Sequence, residues 1–205
     1  MGRLCAIALA AVLASTALPA RADDAPLTVS TNLIILKDDH VAPIELKNRY
    51  VKLISRTKLD PADHRIALAP AGSAGDPTPA GATGGGAVLI VYSPTTGVSF
   101  TIALPASRWI REGTPIPLTY RFADGHGPII RAIVRPYKIY IRGGGPGWGF
   151  PVDGPQGRVA YRLTLGTGIT WCAEAPPRFP SATYDRQDKF FGARTAAAIE
   201  CPPLP

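Results

Sequence analysis

Helical periodicity, histidine and long apolar runs are all scarce in this chain of 205 residues. The 22 prolines argue against any long helix, because each removes a backbone donor and clashes with the preceding turn. The histidines, His40, His64 and His126, lie far apart and in no metal-ligand spacing, so no metal site is expected. No serine occupies a Gly-x-Ser-x-Gly turn, which removes the commonest hydrolase template. The adjacent acids Asp38 and Asp39 would point to opposite faces of a strand and so make no acid/base pair. Carboxylates that meet only in space stay open as an alternative. No catalytic residue and no cofactor is expected.

One apolar run does exist, at the start. Met1-Gly2-Arg3 is followed by apolar and small residues from Leu4 to Ala14, then by Ala20-Arg21-Ala22. The run is too short to span a bilayer and ends in a small-x-small cleavage pattern, so residues 1–22 read as a signal peptide with Asp23 opening the mature chain. A periplasmic or extracellular location is therefore expected, with no transmembrane segment in the mature chain. Two cysteines then remain, Cys172 and Cys201, an even number suited to an oxidising compartment. Loss of Arg3 and Arg21 lowers the formal charge from +7 to +5, with 20 basic residues against 15 acidic ones. The basic residues are spread along the chain, often alternating with apolar ones, so a nucleic-acid partner is not expected.

What is abundant is two-residue alternation. Val98, Phe100, Ile102 and Leu104 fall on one face of a strand, as do Val159, Tyr161, Leu163 and Leu165. Further strands are expected at 33–36, 50–57, 65–69, 88–92, 117–122 and 169–172. Residues 129–134 and 138–142 flank Arg135-Pro136-Tyr137, which reads as a tight corner. Short strands punctuated by Gly and Pro predict an all-β chain, a single antiparallel sandwich or open barrel over residues 23–205. Residues 71–87, rich in Gly, Ala and Pro, are expected to be a flexible surface loop. Residues 173–205 are expected to be an irregular tail, with one weak helical turn near 195–199.

Several blocks carry a resemblance: Asp76-Pro77-Thr78-Pro79, Leu104-Pro105-Ala106-Ser107-Arg108-Trp109, Tyr120-Arg121-Phe122-Ala123-Asp124, Gly127-Pro128, and Trp171-Cys172-Ala173-Glu174 with Cys201-Pro202. In this order, across roughly residues 76–202, they resemble an uncharacterised family of exported bacterial all-β domains with no assigned activity. The resemblance implies a secreted β domain with a C-terminal cysteine pair, Cys172 to Cys201. It also implies that Ile129 and a residue near Ile141 stand where family members carry a second bridge, and so touch across a hairpin.

Two features hint at binding. The run Arg142-Gly-Gly-Gly-Pro-Gly-Trp148-Gly-Phe150 follows a strand but leads into a Pro-rich loop, so it lacks the helix a phosphate cradle needs. Trp109, Trp148 and Tyr140, with Trp171, Tyr137 and Tyr184, are either an exposed platform for a sugar or peptide or the large rings of a sandwich core. The leading expectation is a non-enzymatic secreted or surface-associated module that binds a protein or carbohydrate, or serves a structural role. A secreted hydrolase and a polyanion binder are the alternatives. A cleft of converging acids would favour the first of these, an exposed basic stripe the second.

Overall fold

The computed structural model describes residues 25–38, 49–57, 62–114 and 118–205. The signal-peptide expectation, the start at Asp23, and Asp39 and His40 lie outside the described residues.

The alternating segments form strands. In chain order they are β1 (Leu27–Thr28), β2 (Thr31–Lys37), β3 (Tyr50–Arg56), β4 (Ala87–Tyr92), β5 (Ser99–Leu104), β6 (Trp109–Glu112) and β7 (Thr119–Ala123). There follow β8 (Ile129–Arg135), β9 (Lys138–Gly144), β10 (Val159–Leu165), β11 (Thr170–Ala175), β12 (Asp185–Arg186) and β13 (Lys189–Gly192). They make two sheets, one of order β1-β11-β10-β4-β5 and a larger one of order β12-β13-β2-β3-β9-β8-β7-β6. Pairing is antiparallel except where β1 runs parallel to β11. The sheets do not close into one barrel, which settles the sandwich-or-barrel choice in favour of a sandwich.

Alternation decides which side chains meet between the layers. Leu89 and Val91, Tyr161 and Leu163, and Ile102 and Leu104 of the smaller sheet are buried with Ile34, Leu36, Val51, Leu53, Ile139, Ile141 and Phe122 of the larger. At the centre the Tyr161 hydroxyl donates to Ser55 Oγ at 2.7 Å, one polar tie between the layers. The expected corner is a two-residue turn, Pro136-Tyr137, with Tyr137 held at φ +65°. Ile129 and Ile141 are both buried; Ile129 sits opposite Gly143 and so diagonal to Ile141.

The structure corrects four expectations. Residues 71–87 are a chain of tight turns packed into the protein rather than a flexible surface loop, and Asp76 within them is wholly buried. The side chain at 76 explains this, as developed below. The tail is not irregular throughout: β11 continues to Ala175, and β13 returns to pair with β2, matching Phe190 with Leu36 and Gly192 with Ile34. Residues 65–69 form no strand, although Ile66 is buried, and Trp109–Glu112 form one that alternation did not single out. The helical turn falls at Ser181–Tyr184, not near 195–199.

Cys172 and Cys201 are bridged, with Cα atoms 5.9 Å apart. Cys172 is on the outer side of the smaller sheet, so the bridge draws the end of the chain across that face. There Pro202 O accepts from Tyr92 Oη at 2.8 Å and Arg162 Nη2 at 2.6 Å. No helix among the described residues is long and apolar enough to cross a membrane.

Candidate anion-binding face and its cleft

The outer side of the larger sheet is where strand register produces something the linear sequence hides. In β3 the buried residues are Val51, Leu53 and Ser55, so Lys52, Ile54 and Arg56 point outward. In β9 the buried Ile139 and Ile141 turn Lys138, Tyr140 and Arg142 outward. A bulge between Ile129 and Arg131 resets the alternation of β8. With Ala132 and Val134 then facing in, Arg131, Ile133 and Arg135 face out.

The pairing stacks these residues in rows across the strands. Lys52 is directly opposite Arg142, and Arg142 opposite Arg131. Four residues along, Arg56 is opposite Lys138, and Lys138 opposite Arg135. Between the two rows runs a third, Leu33–Ile54–Tyr140–Ile133. Each cationic row spans about 10 Å and the two are about 13 Å apart, from the spacings of strands and of residues within them. Lys37 and Lys189, also cross-strand partners, extend the charge toward the β13 edge.

These side chains have little to neutralise them. None of Lys37, Lys52, Arg56, Arg131, Arg135, Lys138, Arg142 and Lys189 forms an ion pair among the described residues. The ion pairs on this face lie away from both rows: Arg121 with Glu112 at 3.1 Å toward the β6 edge, and Arg186 with Asp188 at 3.8 Å at the β12 edge. Like charges directly opposite destabilise a sheet. Lys138 registers that strain: partial desolvation, then the charges of Arg56 and Arg135, hold its ammonium below the ordinary 10.5. The aromatic rings here are covered by cations, Lys138 over Tyr140 at 5.8 Å and Arg142 over Tyr50 at 5.8 Å.

At one end of the first row the sheet surface dips into a cleft of about 330 Å³. Its lining comprises the 143–147 run of four glycines and Pro146 as a floor, with Arg49, Tyr50, Ile130 and Arg142 and the turn carrying Gly125 and His126 around it. Glycine is required in the floor. A Cβ at Gly143 would overlap Pro128 O, and Gly144 adopts φ +139° against the Arg49 carbonyl. Behind the floor, Arg49 Nε pairs with the buried Asp38 at 2.7 Å and its Nη1 donates to Trp148 O at 2.8 Å, which anchors the loop to the interior.

The aromatic platform is not assembled. Trp109 is 2% exposed and Trp148 0% exposed. Trp109 tilts against Phe122 at 5.4 Å, and Trp148 meets Phe100 edge-on at 5.3 Å. Both rings follow the inward phase of their surroundings and complete the core. Tyr140 alone of the three reaches the surface, under Lys138. Nor do the buried carboxylates converge on an open space. Asp38 holds Arg49; Asp76 holds Arg111 at 2.9 Å; Asp185 accepts from the backbone N–H groups of Gln156 and Gly157. The backbone N–H of His126 donates to Asp124 Oδ1 at 3.0 Å, as turn chemistry requires.

No family model, curated protein or solved structure matches this chain.

Proposed function

We propose that the protein is an exported, non-catalytic module that binds acidic polymers through the outer face of its larger sheet. One observation carries this reading: two rows of three directly opposed cations, neither row neutralised by a carboxylate. A fold gains nothing from such rows by itself. An anionic partner spread over the face would convert their mutual repulsion into attraction and steer its own approach. The cysteine bridge supports an oxidising compartment, periplasmic or extracellular. That the buried acids each serve a structural bond supports a non-catalytic role. The resemblance to uncharacterised exported β domains belongs to the same proposal.

The test is retention on a sulfated-polysaccharide resin under a salt gradient. Lys52→Glu with Arg131→Glu should elute at markedly lower salt than the parent protein. Arg108→Glu with Arg158→Glu, an equal charge change outside the face, should shift elution far less. Equal shifts for the two would mean that only net charge matters and would remove the face as a site.

A further inference from the structure

Resting on that reading, we infer that the cleft beside Arg142 is a subsite for a carboxylated sugar ring, so that the acidic polymer is a uronate-type polysaccharide. Three observations select this chemistry. The cleft is concave and about 330 Å³, at the small end of the range for ligand pockets, so it admits a ring or two and not a bilayer surface. Second, the Arg142 guanidinium is held over the Tyr50 ring at the cleft's side. A planar fork fixed in this way pairs with a carboxylate through two parallel hydrogen bonds, where an ammonium would offer only a point charge. Third, Tyr50 and Tyr140 each carry a cation over the ring, which obstructs the stacking of a base there, the usual device for single-stranded nucleic acid.

The floor suits a sugar. Four of its five residues are glycines, which lets a pyranose ring approach the main chain with only the Pro146 side chain nearby. His126 lines the same cleft and brings an imidazole able to hydrogen-bond a ring hydroxyl. Beyond the cleft, Arg142 leads directly to Lys52 and Arg131, so a chain with one end ring seated here would lay its next acidic groups along the row.

Gly125 offers a clean perturbation. A Cβ there meets nothing within 4 Å, and its backbone does not require glycine, so Gly125→Leu adds bulk to the cleft lining without straining the turn. The probe is trigalacturonate, titrated by calorimetry into the full protein, with hexametaphosphate and an oligodeoxythymidine as competitors. Trigalacturonate should bind one to one, and Gly125→Leu should weaken it about tenfold or more. Arg142→Lys should also weaken it, since the charge remains but the fork is lost. Absence of trigalacturonate binding, or binding indifferent to Gly125→Leu, overturns the subsite. So does displacement of the trimer by hexametaphosphate or oligodeoxythymidine at equal or lower concentration. The rows stand or fall separately, by the elution shift of Lys52→Glu with Arg131→Glu.

Discussion

Replacing Asp76 should unfold far more than a surface turn. Its carboxylate is fully buried and accepts four hydrogen bonds: from Gly72 N at 2.8 Å, Thr78 N at 2.9 Å, Thr78 Oγ1 at 2.8 Å and Arg111 Nη1 at 2.9 Å. Arg111 comes from β6, on the inward side opposite Tyr120, so the ion pair nails the 71–87 turns onto the larger sheet. Breaking a buried pair of this kind by removing one partner costs about 3–5 kcal/mol. In a domain of this size each kcal/mol shifts the melting temperature by about 2–4 °C, so Asp76→Ala should lower it by roughly 6–20 °C. Asp76→Asn should do nearly as much, because its amide NH2 faces groups that are already donors. Burial pushes the Asp76 carboxyl up, but the Gly72 and Thr78 N–H groups, the Thr78 hydroxyl and Arg111 outweigh it and hold the pKa below the ordinary 3.8. The folded state therefore favours the anion. That stabilisation is complete above the unfolded value and is lost as pH falls through the lowered folded value. Scanning calorimetry at pH 7 and pH 3 should show the gap between parent and Asp76→Asn narrowing in acid. A loss under about 1 kcal/mol at pH 7 would refute the anchoring argument and restore the picture of a dispensable loop.

Other consequences can be checked alongside. Cys172→Ser opens a closure spanning 29 residues and should cost about 3–4 kcal/mol in the chain-entropy view, with early proteolysis after Glu200; unchanged stability would contradict a structural bridge. Tyr161→Phe leaves Ser55 Oγ without its partner between the layers and should cost about 1–3 kcal/mol by denaturant unfolding. Because Lys138 holds its proton less tightly than usual, an anion laid on the face should restore its affinity. Binding near pH 10 should then take up protons, detected as an enthalpy that depends on buffer and vanishes in Lys138→Gln. All three tryptophans are buried, so their fluorescence should resist iodide quenching with or without polymer.

Much of the architecture was legible because it is local. Val98, Phe100, Ile102 and Leu104 alternate in the sequence, and the last three line the inner side of β5. The corner at Pro136-Tyr137 was legible for the same reason. β13 was not, since Lys189–Gly192 is short and becomes a strand only by pairing with β2, more than 150 residues earlier. The 71–87 segment misled because its composition offers almost nothing apolar, while its order rests on one carboxylate and a distant arginine. The candidate site was the least legible. Lys52, Arg131, Lys138 and Arg142 each look like solvent-facing residues of ordinary strands, and nothing in the chain states that register will set them side by side. Even the phase of β8 depends on a bulge. Trp109 and Trp148 drew attention as large rings, and burial took both into the core.

The most direct test of the account is a map of backbone amide shifts as a uronate polymer is added to isotope-labelled protein. The largest changes should fall on β3, β8 and β9, at Lys52, Arg131, Lys138 and Arg142, and on Gly125 and the 143–147 run. Changes concentrated instead on the smaller sheet, around Arg162 and Pro202, or scattered over all exposed cations, would contradict it.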